Sequence, residues 1–366
     1  MTNLLIFGAG SIGNHLANAA RKKNWHVTVY DTDYKALERM QKVIYPSRYG
    51  EWDKNIVTSP NKEITDQHFD YVFVGTPPDT HLEVAKHVLN KYKASTVMIE
   101  KPLTSPNIND IEHLFKLIQT KPNGNFVGYT HSVSKVINKL EDIVRDNKVG
   151  SLKNLHVEFK EHWKGIFDAH PWLEGPKDSY LGFWKRGGGA LGEHSHALNL
   201  WQHISHIFSM GKINSVSSSI EYRKQKDIYY DCESALNLST NGGLKGTVIQ
   251  DVITFPPTKN ALIECENASI KITFNKENNR DELELIHLPN NKKSLYEFPK
   301  SRSDDFSKEL NHIESFSYNS KVSPINIYRG LDTMLVITAA HISNKNNSRS
   351  VFIDDSQNYS QKAIIY

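Results

Sequence analysis

Gly8-Ala9-Gly10-Ser11-Ile12-Gly13 stands near the N-terminus, between the apolar run Leu4 to Phe7 and a stretch of helical periodicity. In that setting the G-x-G-x-x-G spacing is that of a turn built to receive a pyrophosphate. Gly8 permits the tight turn, Gly10 lets the backbone approach the anion, and Gly13 lets the helix pack on the sheet. The free N–H groups at the start of the helix complete an anion site. Asp31 ends the next apolar run, 23 residues after Gly8. A carboxylate at that offset accepts hydrogen bonds from both hydroxyls of an adenosine ribose and repels a 2′-phosphate, which predicts NAD in preference to NADP.

Two more loops follow apolar runs. In Gly75-Thr76-Pro77-Pro78-Asp79-Thr80-His81 the prolines keep the chain extended, so that its backbone can pass a flat ligand. In Glu100-Lys101-Pro102 a lysine stands at the carboxyl end of a strand, the ligand-binding edge of a parallel sheet. Tyr129-Thr130-His131 ends another run at the same edge. Further on, Trp163, His170, Trp172, Tyr180, Trp184, Lys185 and Arg186 crowd the approach to a glycine run. Aromatic faces with interspersed cations suit a hydroxylated ring, and they equally suit the packing of a second domain. His194, His196, His203 and His206 are close in sequence, but no acid or cysteine completes a tight tetrahedral set, so no metal is expected.

These residues need elements to hold them. Short apolar runs at 4–7, 25–30, 71–75, 96–99 and 126–129 alternate with helical patterns at 12–22, 35–43, 82–92 and 108–119. That rhythm predicts a parallel sheet covered on both faces, an α/β Rossmann domain. After a helix at 133–147 the pattern changes to longer alternating strands, at 155–159, 230–238, 244–253 and 261–274. Asn241-Gly242-Gly243 marks a hairpin between two of them. A helix at 328–343 and a strand at 350–353 follow, and the polar stretch 276–308 reads as exposed hairpins or loops. The expected organisation is an N-terminal Rossmann domain, 1–125, and an α+β C-terminal domain, 126–366, with a large, mostly antiparallel open-faced sheet.

The chain has 366 residues, and its 44 basic and 41 acidic side chains nearly cancel. That balance offers no electrostatic footprint for nucleic acid or an anionic membrane, and no apolar run approaches a membrane span. Two distant cysteines, Cys232 and Cys265, point to a reducing compartment, the cytoplasm.

Taken together, Gly8 to Gly13, Asp31, Thr76-Pro77-Pro78 with His81, Glu100-Lys101-Pro102, and Gly187-Gly188-Gly189-Ala190-Leu191 followed by Glu193 and His196 resemble the glucose–fructose oxidoreductase/inositol dehydrogenase (Gfo/Idh/MocA) family. The resemblance implies a substrate held between the nicotinamide and the second sheet. It also implies hydride transfer at a carbinol or ketone carbon of a sugar, nucleotide sugar or cyclitol, and assembly as a homodimer or homotetramer. It places Gly8, Ala9, Gly10, Ser11, Ile12, Gly13, Asp31, Thr76, Pro77, His81, Glu100 and Lys101 at the cofactor. Lys101, Tyr129, His131, Trp163, Trp184, Arg186 and His196 would line the substrate. Lys101 and His196 would flank the reacting carbon, and two assignments stay open. In the favoured one His196 carries the proton and Lys101 orients and stabilises the alkoxide; in the other, a desolvated Lys101 is the base. Many members have an Asp four residues before the histidine. Here that position is Gly192, and Glu193, three residues before His196, is the candidate to orient it. A non-catalytic dinucleotide sensor and a reductase of a non-sugar substrate are the alternative functions.

Overall fold

Strands β1 (Asn3–Phe7), β2 (His26–Tyr30), β3 (Ile56–Ser59), β4 (His68–Val74), β5 (Lys93–Ile99) and β6 (Asn125–Val127) form one six-stranded sheet in the order β3-β2-β1-β4-β5-β6. Every pairing in it is parallel. The computed structural model describes residues 2–60, 68–120, 124–276, 279–288 and 290–366. Leu4, Leu5, Ile6, Val72, Phe73 and Val74 are sealed on both faces of the sheet, and each such side chain contributes roughly 1.5–3 kcal/mol on leaving water. This explains why these strands read as continuous apolar runs rather than alternations. Helices α1 (Ser11–Lys22), α2 (Tyr34–Arg39), α3 (Tyr45–Tyr49), α4 (His81–Lys91) and α5 (Ile108–Gln119) fill the connections. The helix expected over 35–43 is in fact α2 followed by a π-turn at Met40–Ile44, which re-aims the chain into α3.

β6 crosses the expected 125/126 boundary. Its residues pair with β5, and Val127 N–H also bonds the Ile325 carbonyl, so the strand belongs to the first sheet through Val127. Beyond it come α6 (Lys135–Arg145), α7 (Trp163–Asp168), α8 (Gly189–Glu193), α9 (Ser195–Ile207), α10 (Arg302–Phe316) and α11 (Ile327–Lys345). The second sheet has ten strands: β7 (Leu152–Lys160), β8 (Ile213–Gln225), β9 (Ile228–Thr240), β10 (Lys245–Asp251), β11 (Thr258–Cys265), β12 (Ala268–Lys276), β13 (Arg280–His287), β14 (Lys292–Pro299), β15 (Val351–Ile353) and β16 (Ile364–Ile365). Among the described residues only the β7–β10 pairing of this sheet is parallel, and the order is β14-β13-β12-β11-β7-β10-β9-β8-β15-β16. The run 261–274 is two strands, β11 and β12, that turn at Glu266-Asn267. The polar stretch 276–308 contains β13, β14 and the first turns of α10, and β8 had no counterpart among the expected strands. α9 and α11 lie on one face of this sheet, where Trp201 donates its indole N–H to the Leu155 carbonyl and Ser218 bonds α11 at Ala340 and Ser343. Among the described residues, no helix is long and apolar enough to cross a membrane.

Candidate active site

The glycine turn sits where β1 meets α1. Gly8, at φ +106°, would bring a Cβ within 2.6 Å of the Gly75 carbonyl, and a Cβ on Gly13 would lie 2.0 Å from the Gly8 carbonyl. Those two glycines are demanded by the protein itself. Gly10 differs, because a Cβ there meets nothing within 4 Å. The space over it is open, as a turn that receives a phosphate requires. Asp31 Oδ2 accepts from Ala9 N–H at 2.8 Å, and Oδ1 accepts from Asp33 N–H at 2.9 Å. The carboxylate is therefore fixed at the end of β2, with lone pairs left for ribose hydroxyls.

Arg48, which did not stand out in the sequence, reaches the same turn from α3. It donates to the Ser11 carbonyl at 3.1 Å, to Ser11 Oγ at 2.9 Å and to the Ala169 carbonyl at 3.1 Å. A half-buried guanidinium is thus placed beside the start of α1. His15 Nε2, 3.2 Å away, helps to hold it. Burial, with the charges of Arg48, Arg302 and His170, pulls His15 down to about 3, so it meets Arg48 as a neutral ring.

On the next two loops, His81 is fully buried with Nε2 facing the Thr76 carbonyl at 2.7 Å and Nδ1 facing the Leu103 carbonyl at 3.2 Å. It ties the Thr76-Pro77 turn to the Glu100-Lys101-Pro102 turn from beneath and presents no free edge to the cleft. Glu100 is buried, with Oε2 accepting from Lys101 N–H at 3.2 Å and Oε1 unpaired. Burial pushes this carboxyl up to about 7 despite the Lys101 charge. An orphaned buried acceptor beside the ligand edge is what a ribose hydroxyl or carboxamide N–H would satisfy.

Lys101 Nζ crosses from the end of β5 to α8. It donates to the Glu193 main-chain carbonyl at 2.9 Å and pairs with Glu193 Oε2 at 3.2 Å. Burial alone would raise the Glu193 carboxyl, but Lys101 and His194 outweigh it and hold it below the usual range. Glu193 is therefore the counter-ion of Lys101. No bond joins it to His196, whose Nδ1 is sealed and without a partner. The expectation that Glu193 orients His196 is replaced by this pairing with Lys101.

Glycine at 189 makes this placement of α8 possible. Its φ is +76°, and a Cβ would lie 1.9 Å from Asp231 Oδ1. Asp231, buried on β9, accepts the Leu191 N–H at 2.7 Å and so anchors the first turn of α8. Gln250 on β10 donates to the His194 carbonyl at the other end.

Tyr129 and His131 stand at the mouth of β6. Tyr129 meets the His196 ring edge-on at 5.5 Å between centroids, and the His131 ring lies 4.5 Å from that of His196. His196 is pulled well below 6.5 by burial, then by His131 and Lys101. Lys101, Tyr129 with His131, and Glu193 with His196 are thus brought together from three stretches of chain. Trp163 and Trp184 are not part of this group. Trp163 packs in a small core with Ile166, Leu181, Ala190 and Tyr230, while the ring of Trp184 lies 4.3 Å from that of His341, tilted by 32°. Arg186 pairs with Asp79 of the proline turn at 2.7 Å, which pins the glycine run to the first sheet. Among the described residues, no group of three or more His, Cys, Asp or Glu could hold a metal ion.

Residues 2–129 match the family model described as an oxidoreductase family with an NAD-binding Rossmann fold (GFO_IDH_MocA). No curated protein matches the chain significantly by sequence. Among solved structures, levoglucosan dehydrogenase in complex with NADH and levoglucosan superposes with a TM-score of 0.74 at 14% identity, over 96% of this chain and 99% of that one. An aldose-aldose oxidoreductase from Caulobacter crescentus complexed with glycerol gives 0.73 at 15%, over 96% and 99%. An oxidoreductase from Agrobacterium radiobacter in complex with NAD+, L-tartaric acid and magnesium gives 0.72 at 15%, over 96% and 98%. At these identities the likeness establishes the fold. Residues 2–129 therefore match the NAD-binding Rossmann unit of the Gfo/Idh/MocA oxidoreductases, and the chain as a whole shares the fold of these solved structures.

Proposed function

We propose that the protein is an NAD-dependent dehydrogenase or reductase acting at a carbinol or ketone carbon of a sugar, nucleotide sugar or cyclitol. The observation that carries this reading is the meeting of Lys101, from the end of β5, with Glu193, three residues before His196, at the ligand edge of the Rossmann sheet. Gly8 to Gly13 would hold the diphosphate, Asp31 the adenosine ribose, and Glu100 a donor on the nicotinamide side. Thr76 and Pro77 would border the ring. A nicotinamide dinucleotide bound there supplies the hydride acceptor or donor. Asp31 is already a fixed anion at the ribose position, which favours NAD over NADP.

The residues divide the remaining chemistry. Lys101 is committed as the cation of an ion pair, so it stabilises negative charge on the substrate oxygen as it develops. His196 is neutral in its setting and takes the hydroxyl proton during oxidation. Tyr129 and His131 close the cleft behind it, and Arg186 keeps the second unit against the proline turn. Residues 1–125 are read as the cofactor unit, extended to Val127 by β6, and 126–366 as the substrate-binding and oligomerisation unit of a homodimer or homotetramer. Both cysteines are free and buried, which supports a reducing, cytoplasmic setting.

The test is turnover with NAD⁺ and NADP⁺ against a panel of polyols, sugars and nucleotide sugars. Lys101→Ala and His196→Ala should each lower turnover by about 10²-fold or more, with NADH binding retained. Asp31→Ala should weaken NADH binding and erase the preference over NADPH. NADH binding with no turnover on the whole panel would instead support the sensor reading.

A further inference from the structure

With Glu193 committed to Lys101, the group that orients His196 must come from elsewhere. Of the two ring nitrogens of His196, only Nδ1 is both sealed and without a partner, and the residue as a whole is partly exposed. The reactive edge is therefore Nε2, and Nδ1 points into the protein. Both ring nitrogens of His131 are also sealed and unpaired. The rings around His131 are those of Phe159 at 5.1 Å, Phe274 at 5.2 Å and His196 at 4.5 Å, the last tilted by 56°. Only the His196 ring among them carries a hydrogen-bonding atom. A buried N–H without an acceptor costs about 1–3 kcal/mol, and one N–H···N bond between two neutral imidazoles would give His196 Nδ1–H an acceptor and satisfy one of the two His131 nitrogens.

We propose that His131 is a positioning residue that backs His196, accepting its Nδ1–H and so holding Nε2 unprotonated toward the substrate hydroxyl. The proposal rests on the reading of His196 as the proton acceptor. During oxidation the hydroxyl proton moves to Nε2, the hydride leaves for the nicotinamide, and the Nδ1–H bond to His131 becomes charge-assisted; no other proton or electron is needed. The surroundings keep His131 an acceptor. Burial, then the charges of Lys300 in the turn before α10, Lys259 on β11, Arg302 at the start of α10 and Lys101 in the loop after β5, disfavour its protonation. Lys259 is paired with Glu161 at 2.6 Å, and Lys300 with Asp281 at 3.1 Å and Asp305 at 3.3 Å, so no carboxylate among these is left to take the place of His131.

The experiment is a long-range ¹H–¹⁵N spectrum of the full-length, imidazole-¹⁵N-labelled protein, with His196 assigned by its loss in His196→Asn. Wild type should show His196 as the Nδ1–H tautomer. His131→Phe keeps the ring packing against Phe159 and Phe274, and should convert His196 to a mixture or to the Nε2–H form. On any substrate found by the panel, the same variant should lose roughly tenfold or more in kcat with KM within about twofold, and should add nothing to His196→Phe. An Nε2–H tautomer in wild type overturns the proposal even if His131→Phe does not fold, and so does a tautomer unmoved by His131→Phe. NADH titration of the same samples separates the two failures. The tautomer shift with no turnover on the panel counts against the oxidoreductase reading and leaves the imidazole pair standing.

Discussion

Gly189→Ala tests how the catalytic segment is held. At φ +76° an L side chain costs about 1–2 kcal/mol. The added Cβ would also lie 1.9 Å from Asp231 Oδ1, far inside contact, so the carboxyl must move. Asp231 is fully buried and its Oδ2 accepts the Leu191 N–H at 2.7 Å. Leaving that donor unpaired costs about 1–3 kcal/mol. The two effects together predict a loss of roughly 2–5 kcal/mol, a large share of the ~5–15 kcal/mol typical of a folded domain. Urea unfolding followed by tryptophan fluorescence reads the loss directly. The Asp231→Ala background removes the obstructing carboxyl, so Gly189→Ala should cost clearly less there than in wild type. Because α8 carries Glu193 to Lys101, turnover should fall more than NADH affinity. A Gly189→Ala protein within about 0.5 kcal/mol of wild type would refute the reasoning, since it would mean that the glycine run is not shaped by Asp231.

Gly10→Ala is the opposite case: its φ is −76° and no atom lies within 4 Å of the new Cβ. Stability should stay within about 0.5 kcal/mol while NADH binding weakens roughly tenfold or more, as read by fluorescence titration; unchanged binding would contradict the pyrophosphate assignment. Burial raises Asp231 from 3.8 to about 7, so the folded chain keeps a proton that the unfolded chain gives up. Stability from this group is therefore lost as pH rises from about 4 toward 7, and Asp231→Asn should flatten that slope in urea midpoints compared at pH 5 and pH 8. His196 is held well below 6.5, first by burial and then by His131 and Lys101. The acid limb of kcat/KM for oxidation should accordingly lie below pH 6.5, and a limb at or above that value would point to a different base.

Much of the first sheet could be read directly from the residues, because its signals are local. Fully buried strands such as Leu4 to Phe7 are continuous apolar runs, and a glycine turn between strand and helix is a property of a few adjacent dihedrals. β8 was missed for an equally specific reason. Its buried positions include Ser218, which breaks the apolar alternation and is satisfied only because Ala340 and Ser343 of α11 lie against it. The run 261–274 reads as one strand because the turn that divides it into β11 and β12 is only two residues, Glu266-Asn267, and carries no glycine or proline.

The residue types available for chemistry, and the edge of the sheet they should gather on, were properties of the sequence by itself. Their partners were not. Whether Glu193 would pair with His196 or Lys101, and whether Trp163 would stand open or pack among Ile166, Leu181 and Tyr230, were decided by packing. Arg48 reached Ser11 by the same route, across 37 positions of chain. Local pattern depends on backbone period and turn chemistry, which a short window contains. A pairing between distant side chains depends on the angle and depth at which whole elements meet, and that is set by the summed burial of both sheets rather than by any neighbour along the chain.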